Sequence, residues 1–388
     1  MRVNNLARKT MGILMTMLLT SALALNAFAA EESNVSLDEQ EDSIIAVEQA
    51  RKWFVQNHSK FYDMRNVKAE LVKTFENSTE IRYTVALSCE TKLKVDDMRE
   101  LPFVKGLYAE RDCITAQAAT AAAKEKATAT AAAIDVYMSE VTDSAKIGEY
   151  SDLTMDIVLV KDKEDLDAPL KMYYQDGMET TLYDIEIMNL DEDEMYEKGR
   201  ATAHELAATA TAKANDAVTL GYSGYDREAA RDYALRWSSS PTNCYDDGSS
   251  CGILQARYTW NNSVYPYNSI FKHNDCADFV SQAMAAGGLP QGGSWFRTKN
   301  VTTASWGAAW TSVSSLKSYM TDSSHKYWDT STFAKCNAGN ILLTSSSHVV
   351  MITLNDTVTH RYTGHTNDRH HYEFDHVNGY QYYTIKTT

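Results

Sequence analysis

The chain has 388 residues, of which 52 are acidic and 37 basic, for a formal net charge of −15. That length is too great for one ordinary core, so two domains are expected, and the acidic balance argues against nucleic acid as a partner. Six cysteines in so long a chain are too sparse for a disulfide scaffold.

The first segment, "MRVNNLARKTMGILMTMLLTSALALNAFAA", places Arg2, Arg8 and Lys9 before an apolar run from Met11 to Leu25, then Ala27 and Ala29 at cleavage-site spacing. This predicts a secretory signal peptide over residues 1–29 and an extracellular or wall-associated product. The apolar run is shorter than the roughly 20 residues a membrane span needs, and no second run follows, so no transmembrane segment is expected after cleavage.

Residues 42–57 repeat Ile44, Ile45, Val47, Ala50, Trp53 and Phe54 on one helical face. Residues 69–95 read as two or three strands with Asn77-Ser78 at a hairpin tip. Ala-rich segments 115–139 and 194–217 have high helix propensity, and the stretches 152–160 and 170–190 between them read as strands. The expectation for residues 30–219 is an acidic α+β domain of unknown role.

Composition shifts near "TLGYSGYD", residues 219–226. From Gly221 onward 13 basic residues balance 13 acidic ones, and 8 of the 10 histidines and 6 of the 7 tryptophans lie there. A second domain over 220–388 follows. In it, "YDREAARDYALRW" sets Tyr225, Ala229, Tyr233 and Trp237 at four-residue steps, a helix with one aromatic stripe turned inward. "NDCADFVSQAMAAGG" puts Phe279, Val280, Ala283 and Met284 on one face, with Gly287-Gly288 as the stop. "GNILLTSSSHVVMITL" reads as strand, Ser-rich turn, strand, and "HRYTGHT" and "GYQYYTIK" as later strands of the same sheet. The plan is α+β.

The chemistry centres on Cys276. A thiol attacks as thiolate, and a helix N-terminus favours negative charge and lowers a thiol pKa. Asn274 or Asp275 is expected to cap that helix. The competing reading is a small buried filler, the usual lot of a free cysteine. A nucleophile needs a base, and His348, at the head of the apolar strand "HVVMITL", is the best-placed histidine. A third polar group should hold the imidazole, and "GHTND" offers His365, then Asp368, then Asn367. Tyr267, Trp295 and Trp306, with Asn274 and Asp275, are candidates to border substrate. Cys244 and Cys251 flank a turn-rich loop and form one candidate disulfide, and Cys89 with Cys113 a second, which leaves Cys276 and Cys336 over. No Cys-x-x-Cys or His-x-x-His spacing marks a metal site, and the tail "HTNDRHHYEFDH" reads as surface, so neither metal nor cofactor is expected. No G-x-S-x-G elbow marks a serine hydrolase.

Taken in order, "YDREAARDYALRW", "NDCADFVSQAMAAGGLP", Trp295, the "SW" at 305–306, "GNILLTSSSHVVMIT" and "GHTNDR" resemble the "putative amidase domain" family of secreted Gram-positive proteins, itself similar to papain-like cell-wall peptidases. The resemblance covers most of residues 222–375. It implies a papain-like fold and thiol-dependent amide hydrolysis with Cys276 as nucleophile, His348 as base and a polar third member. It further implies an oxyanion held partly by the Cys276 N–H, and a substrate in peptidoglycan or its peptides. Two departures stand out: Gly339-Asn340 where the family tends to Gly-Asp, and Ala277-Asp278 where it tends to Thr-Asn. A relative that binds wall material or a partner without cleaving it is the alternative.

Overall fold

A computed structural model describes residues 37–176, 181–215, 224–238, 264–265, 275–298, 305–324, 327–344, 348–366, 369–376 and 379–385. The expected signal peptide and the Cys244–Cys251 pair lie outside these residues. The chain divides into two compact units, 1–44 and 45–388. Of the first, only the start of helix α1 (Leu37–His58) is described.

The second unit is α+β, built on a mixed sheet. Its first strands, β1 (Tyr62–Glu76) and β2 (Glu80–Leu93), form the expected hairpin. The Asn77 side-chain oxygen accepts from the N–H groups of Thr79 and Glu80, both at 2.9 Å, which is the local bonding that makes Asn a turn residue. Helices α2 (Pro102–Ala116) and α3 (Ala121–Ala145) follow, then β3 (Ser151–Asp162), β4 (Lys171–Gln175) and the short β5 (Leu182–Asp184). Helix α4 (Glu192–Asn215) packs on α2, where Gly106 and Gly199 let the two backbones touch. A Cβ at Gly106 would fall 1.9 Å from the Tyr196 carbonyl oxygen.

The later part supplies helices α5 (Arg227–Arg236), α6 (Cys276–Ala286), α7 (Ala308–Thr311) and α8 (Val313–Thr321). Its strands are β6 (Trp328–Ser331), β7 (Ile341–Leu343), β8 (Val349–Asn355), β9 (His360–Gly364), β10 (Arg369–Phe374) and β11 (Gln381–Ile385). Period-2 alternation divides β8 between two cores. Val349 and Met351 pack with α6, whereas Val350 and Ile352 join Ala46, Ala50 and Phe54 of α1 and the inner residues of β2 and β3 on the other face.

Strand order runs β1-β2-β3-β10-β9-β8-β7-β11-β6, so one sheet passes from the first half of the chain into the second. The boundary near 219–226 therefore does not separate two structural bodies. The joint is the parallel pairing of β10 with β3, reinforced by buried polar bonds: Arg369 to Asp156 at 3.2 Å, and His58 Nε2 to Glu373 at 2.7 Å. Arg361, fully buried, donates to Ser151 Oγ, the Asp152 carbonyl and Thr91 Oγ1. The tail expected to be surface is thus a buried strand, because the first half of the chain supplies partners for its polar side chains.

One further expectation is corrected and another refined. Cys89 and Cys113 are both free, Cys89 buried in the core of β2 and Cys113 on α2. Of the expected aromatic stripe, Tyr225 is buried and Tyr233 and Trp237 pack against the same core, while the fully buried face of α5 is Ala230, Arg231 and Ala234. Small alanines are required there because α5 runs close to the end of α6, where a Cβ at Gly287 would meet Ala230 Cβ at 3.0 Å. The stop signal of α6 is as expected: Gly288 adopts a left-handed φ of 88°, and Leu289 N–H bonds back to the Met284 carbonyl. Among the described residues no helix is long and apolar enough to cross a membrane.

Candidate active site

Helix α6 is apolar nearly all round, and every residue from Cys276 to Met284 is buried. It lies on β8 and β9, and this fixes where its first residue points. The backbone N–H groups of Val349, Ala277 and Cys276 itself act on the Cys276 thiol as donors that lower it. Val349 follows His348 directly in the chain. These donors favour a thiolate, but burial outweighs them and Asp275 adds repulsion, so the thiol is pushed up to about 11. The sequence-based expectation of a lowered value is reversed, because the helix end that should favour the anion is itself taken out of water.

Asp275 stands at the N-cap position of α6 but makes no side-chain cap. Its carboxylate turns the other way: Oδ2 lies 2.7 Å from His365 Nδ1, and Oδ1 accepts from the Thr366 hydroxyl at 3.2 Å. The same hydroxyl accepts the Asp275 N–H at 3.1 Å. Asn274 lies outside the described residues.

His348 leads into β8. Its carbonyl accepts the Thr344 N–H at 2.9 Å and its own N–H reaches Thr344 Oγ1 at 3.2 Å, so its backbone is pinned on both sides of the turn. The ring is half-buried and is pushed down to about 4, chiefly by loss of water; Asp275 opposes that shift, and Arg369 and His365 add to it. One carboxylate, Asp275, thus acts electrostatically on both Cys276 and His348. Beside the ring lies Gly364 of β9, where a Cβ would come 3.8 Å from His348 Nε2 and only 2.6 Å from Val350 Cγ1.

His365, expected to hold that imidazole, is 2 % exposed, with Nδ1 2.7 Å from Asp275 Oδ2 and Nε2 2.7 Å from the Trp237 carbonyl oxygen, and it acts electrostatically on the His348 ring. Asn367, Asp368 and Tyr267 lie outside the described residues. Trp295 is fully buried, its indole N–H donating to Ser281 Oγ at 2.9 Å and its ring 5.0 Å from that of Trp310; it belongs to the core and cannot touch substrate. Trp306 is half-buried, on a short bridge to Arg297.

One pair escaped the sequence reading. Asp278, fully buried, accepts from Arg297 and from the Trp310 indole, and this ties α6 to the segment carrying Trp295 and to α7. Burial raises the Asp278 carboxyl, against the pull of Arg297. The available signal was a lone acid in an otherwise apolar helix, since such a group needs a buried partner.

Residues 224–388 match the family model described as "Putative amidase domain". The match supports a hydrolase of amide bonds in general. No curated protein and no solved structure matches the chain.

Proposed function

We propose that the segment matching that family, residues 224–388, cleaves an amide bond by attack of the Cys276 sulfur, with His348 as the base that takes the thiol proton and returns it to the leaving amine. The observation that carries this reading is the Val349 N–H acting on the Cys276 thiol from the head of the strand that begins beside His348. Attack forms a thioester and expels the amine; water then releases the acid and restores the thiol. In this reading the N–H of Cys276 helps steady the tetrahedral oxygen. In this reading the arrangement is papain-like, the protein is exported by its first 29 residues, and the substrate is an amide of peptidoglycan or its stem peptides.

A second reading, a wall-binding relative that no longer cleaves, draws on the raised Cys276 thiol. One comparison separates them. Isolated peptidoglycan incubated with the wild-type protein should gain free amino groups, and the Cys276→Ala and His348→Ala proteins should leave it uncut. Binding that survives without cleavage by the wild type favours the second reading, and equal cleavage by wild type and Cys276→Ala removes the thiol from the chemistry.

A further inference from the structure

Each ring nitrogen of His365 faces an acceptor: the Asp275 carboxylate at 2.7 Å from Nδ1 and the Trp237 carbonyl at 2.7 Å from Nε2. A neutral imidazole carries one N–H and can satisfy only one of them. The carbonyl has no proton to give, so Nε2 must be protonated. Oδ1 of Asp275 already accepts from Thr366, and an imidazole is the more basic partner of a carboxylate, which puts the second proton on Nδ1.

From this we infer that His365 is a standing imidazolium whose positive charge cancels that of Asp275 directly beneath Cys276, making it a positioning and charge-balancing residue for the thiol. The site supports the assignment on every side. The ring lies flat on Phe279, with centroids 4.0 Å apart and planes 19° from parallel, which fixes its plane. Asp275 and Cys276 face it from α6, the Trp237 carbonyl from the end of α5, and Thr366 from its own loop, while His348 of the β8 end and Arg369 of β10 complete the charged surroundings. Arg369 has its own carboxylate in Asp156. Asp275 alone would repel a thiolate and hold a proton on His348, and both effects oppose a cysteine nucleophile with a neutral base. With His365 charged, the pair is electroneutral and the thiol lies next to a dipole instead of an anion. The same two-acceptor geometry recurs at His58, between the Phe54 carbonyl at 2.9 Å and Glu373 at 2.7 Å.

The charge state is tested without substrate, in the full chain labelled with 15N-histidine. At pH 8 His365, assigned by its absence from His365→Gln, should show protons on both ring nitrogens; one bare nitrogen at that pH overturns the inference. The consequence rests on Cys276 being the nucleophile but is read from its alkylation, so it fails or survives separately from any cleavage assay. At pH 9 iodoacetamide should modify Cys276 roughly threefold to tenfold more slowly in His365→Gln, and faster in Asp275→Asn. The Asp275→Asn, His365→Gln double variant should return to near the wild-type rate. Equal slowing in all three variants would mean that the pair acts through structure alone and would overturn the charge-balancing role; Asp275→Asn supplies the charge test should His365→Gln fold poorly.

Discussion

The backbone N–H of Val349 acts on the Cys276 thiol and lowers it, so a residue at the head of β8 and a residue at the head of α6 interact although 73 positions apart in sequence. Burial outweighs that contact and sets the ionisation chemistry of the site. The Cys276 thiol, pushed up to about 11, and the His348 ring, pushed down to about 4, are both neutral at pH 7. The mechanism proposed above therefore has the thiol deprotonated during attack and not stored as a thiolate–imidazolium pair. Alkylation of Cys276 in the folded protein should rise about tenfold per pH unit between pH 7 and 10. A rate already level at pH 6 would show a preformed ion pair.

The acid side of catalysis follows from the same ring. In the proposed mechanism His348 serves as base only when neutral, which its lowered value permits down to pH of about 4. Amide cleavage should persist below pH 6 and fall only near 4. A midpoint at 6.5, the ordinary histidine value, would contradict the burial assigned to this ring.

Gly364 is required by space. Its Cβ position lies 2.6 Å from Val350 Cγ1, so Gly364→Ala must displace β8 against β9 immediately beside His348. The urea midpoint should fall by an amount equivalent to about 1–3 kcal/mol, and cleavage should fall with it. An unchanged midpoint would show that β8 yields without strain.

Asp278 and Arg297 are both fully buried and face each other. Asp278→Ala leaves the guanidinium without its carboxylate and should cost about 3–5 kcal/mol in chemical denaturation. Asp278→Asn, the amide the family tends to carry there, removes the charge but keeps an acceptor for the Trp310 indole, and should cost less. Equal losses for both substitutions would place the cost in shape and not in charge.

Residues 224–388 expressed alone should not fold. That fragment would expose one edge of β10 and strand Arg361, Arg369 and Glu373 without Asp152, Asp156 and His58. Cooperative unfolding of the isolated fragment, followed by near-ultraviolet circular dichroism, would contradict this, whereas recovery on co-expression with residues 45–223 would support it.

What the sequence made legible was local. The α6 helix follows from its apolar face and the Gly287-Gly288 stop, and the first hairpin from Asn77, because each is decided within a few residues. Cys276 at a helix start and His348 at the head of a strand were legible in the same way, from their immediate neighbours. What the sequence missed depends on partners that only the folded chain brings together. His371 and Glu373 look like surface in a polar tail, yet they are buried in a strand whose neighbour, β3, lies some 200 positions upstream. Asp275 reads as a helix cap because Asp commonly caps, but a buried histidine 90 residues later competes for the same oxygens and takes them. Trp295 reads as a groove wall because indoles often bind ligands, and only the Ser281 hydroxyl beneath it shows that its N–H is satisfied inside the core.

The central claim is that the sulfur of Cys276 becomes acylated. Protein quenched in acid during turnover of peptidoglycan peptides should carry a thioester adduct that maps by mass spectrometry to the tryptic peptide containing Cys276. Release of the same products at the wild-type rate by the Cys276→Ala protein would contradict it.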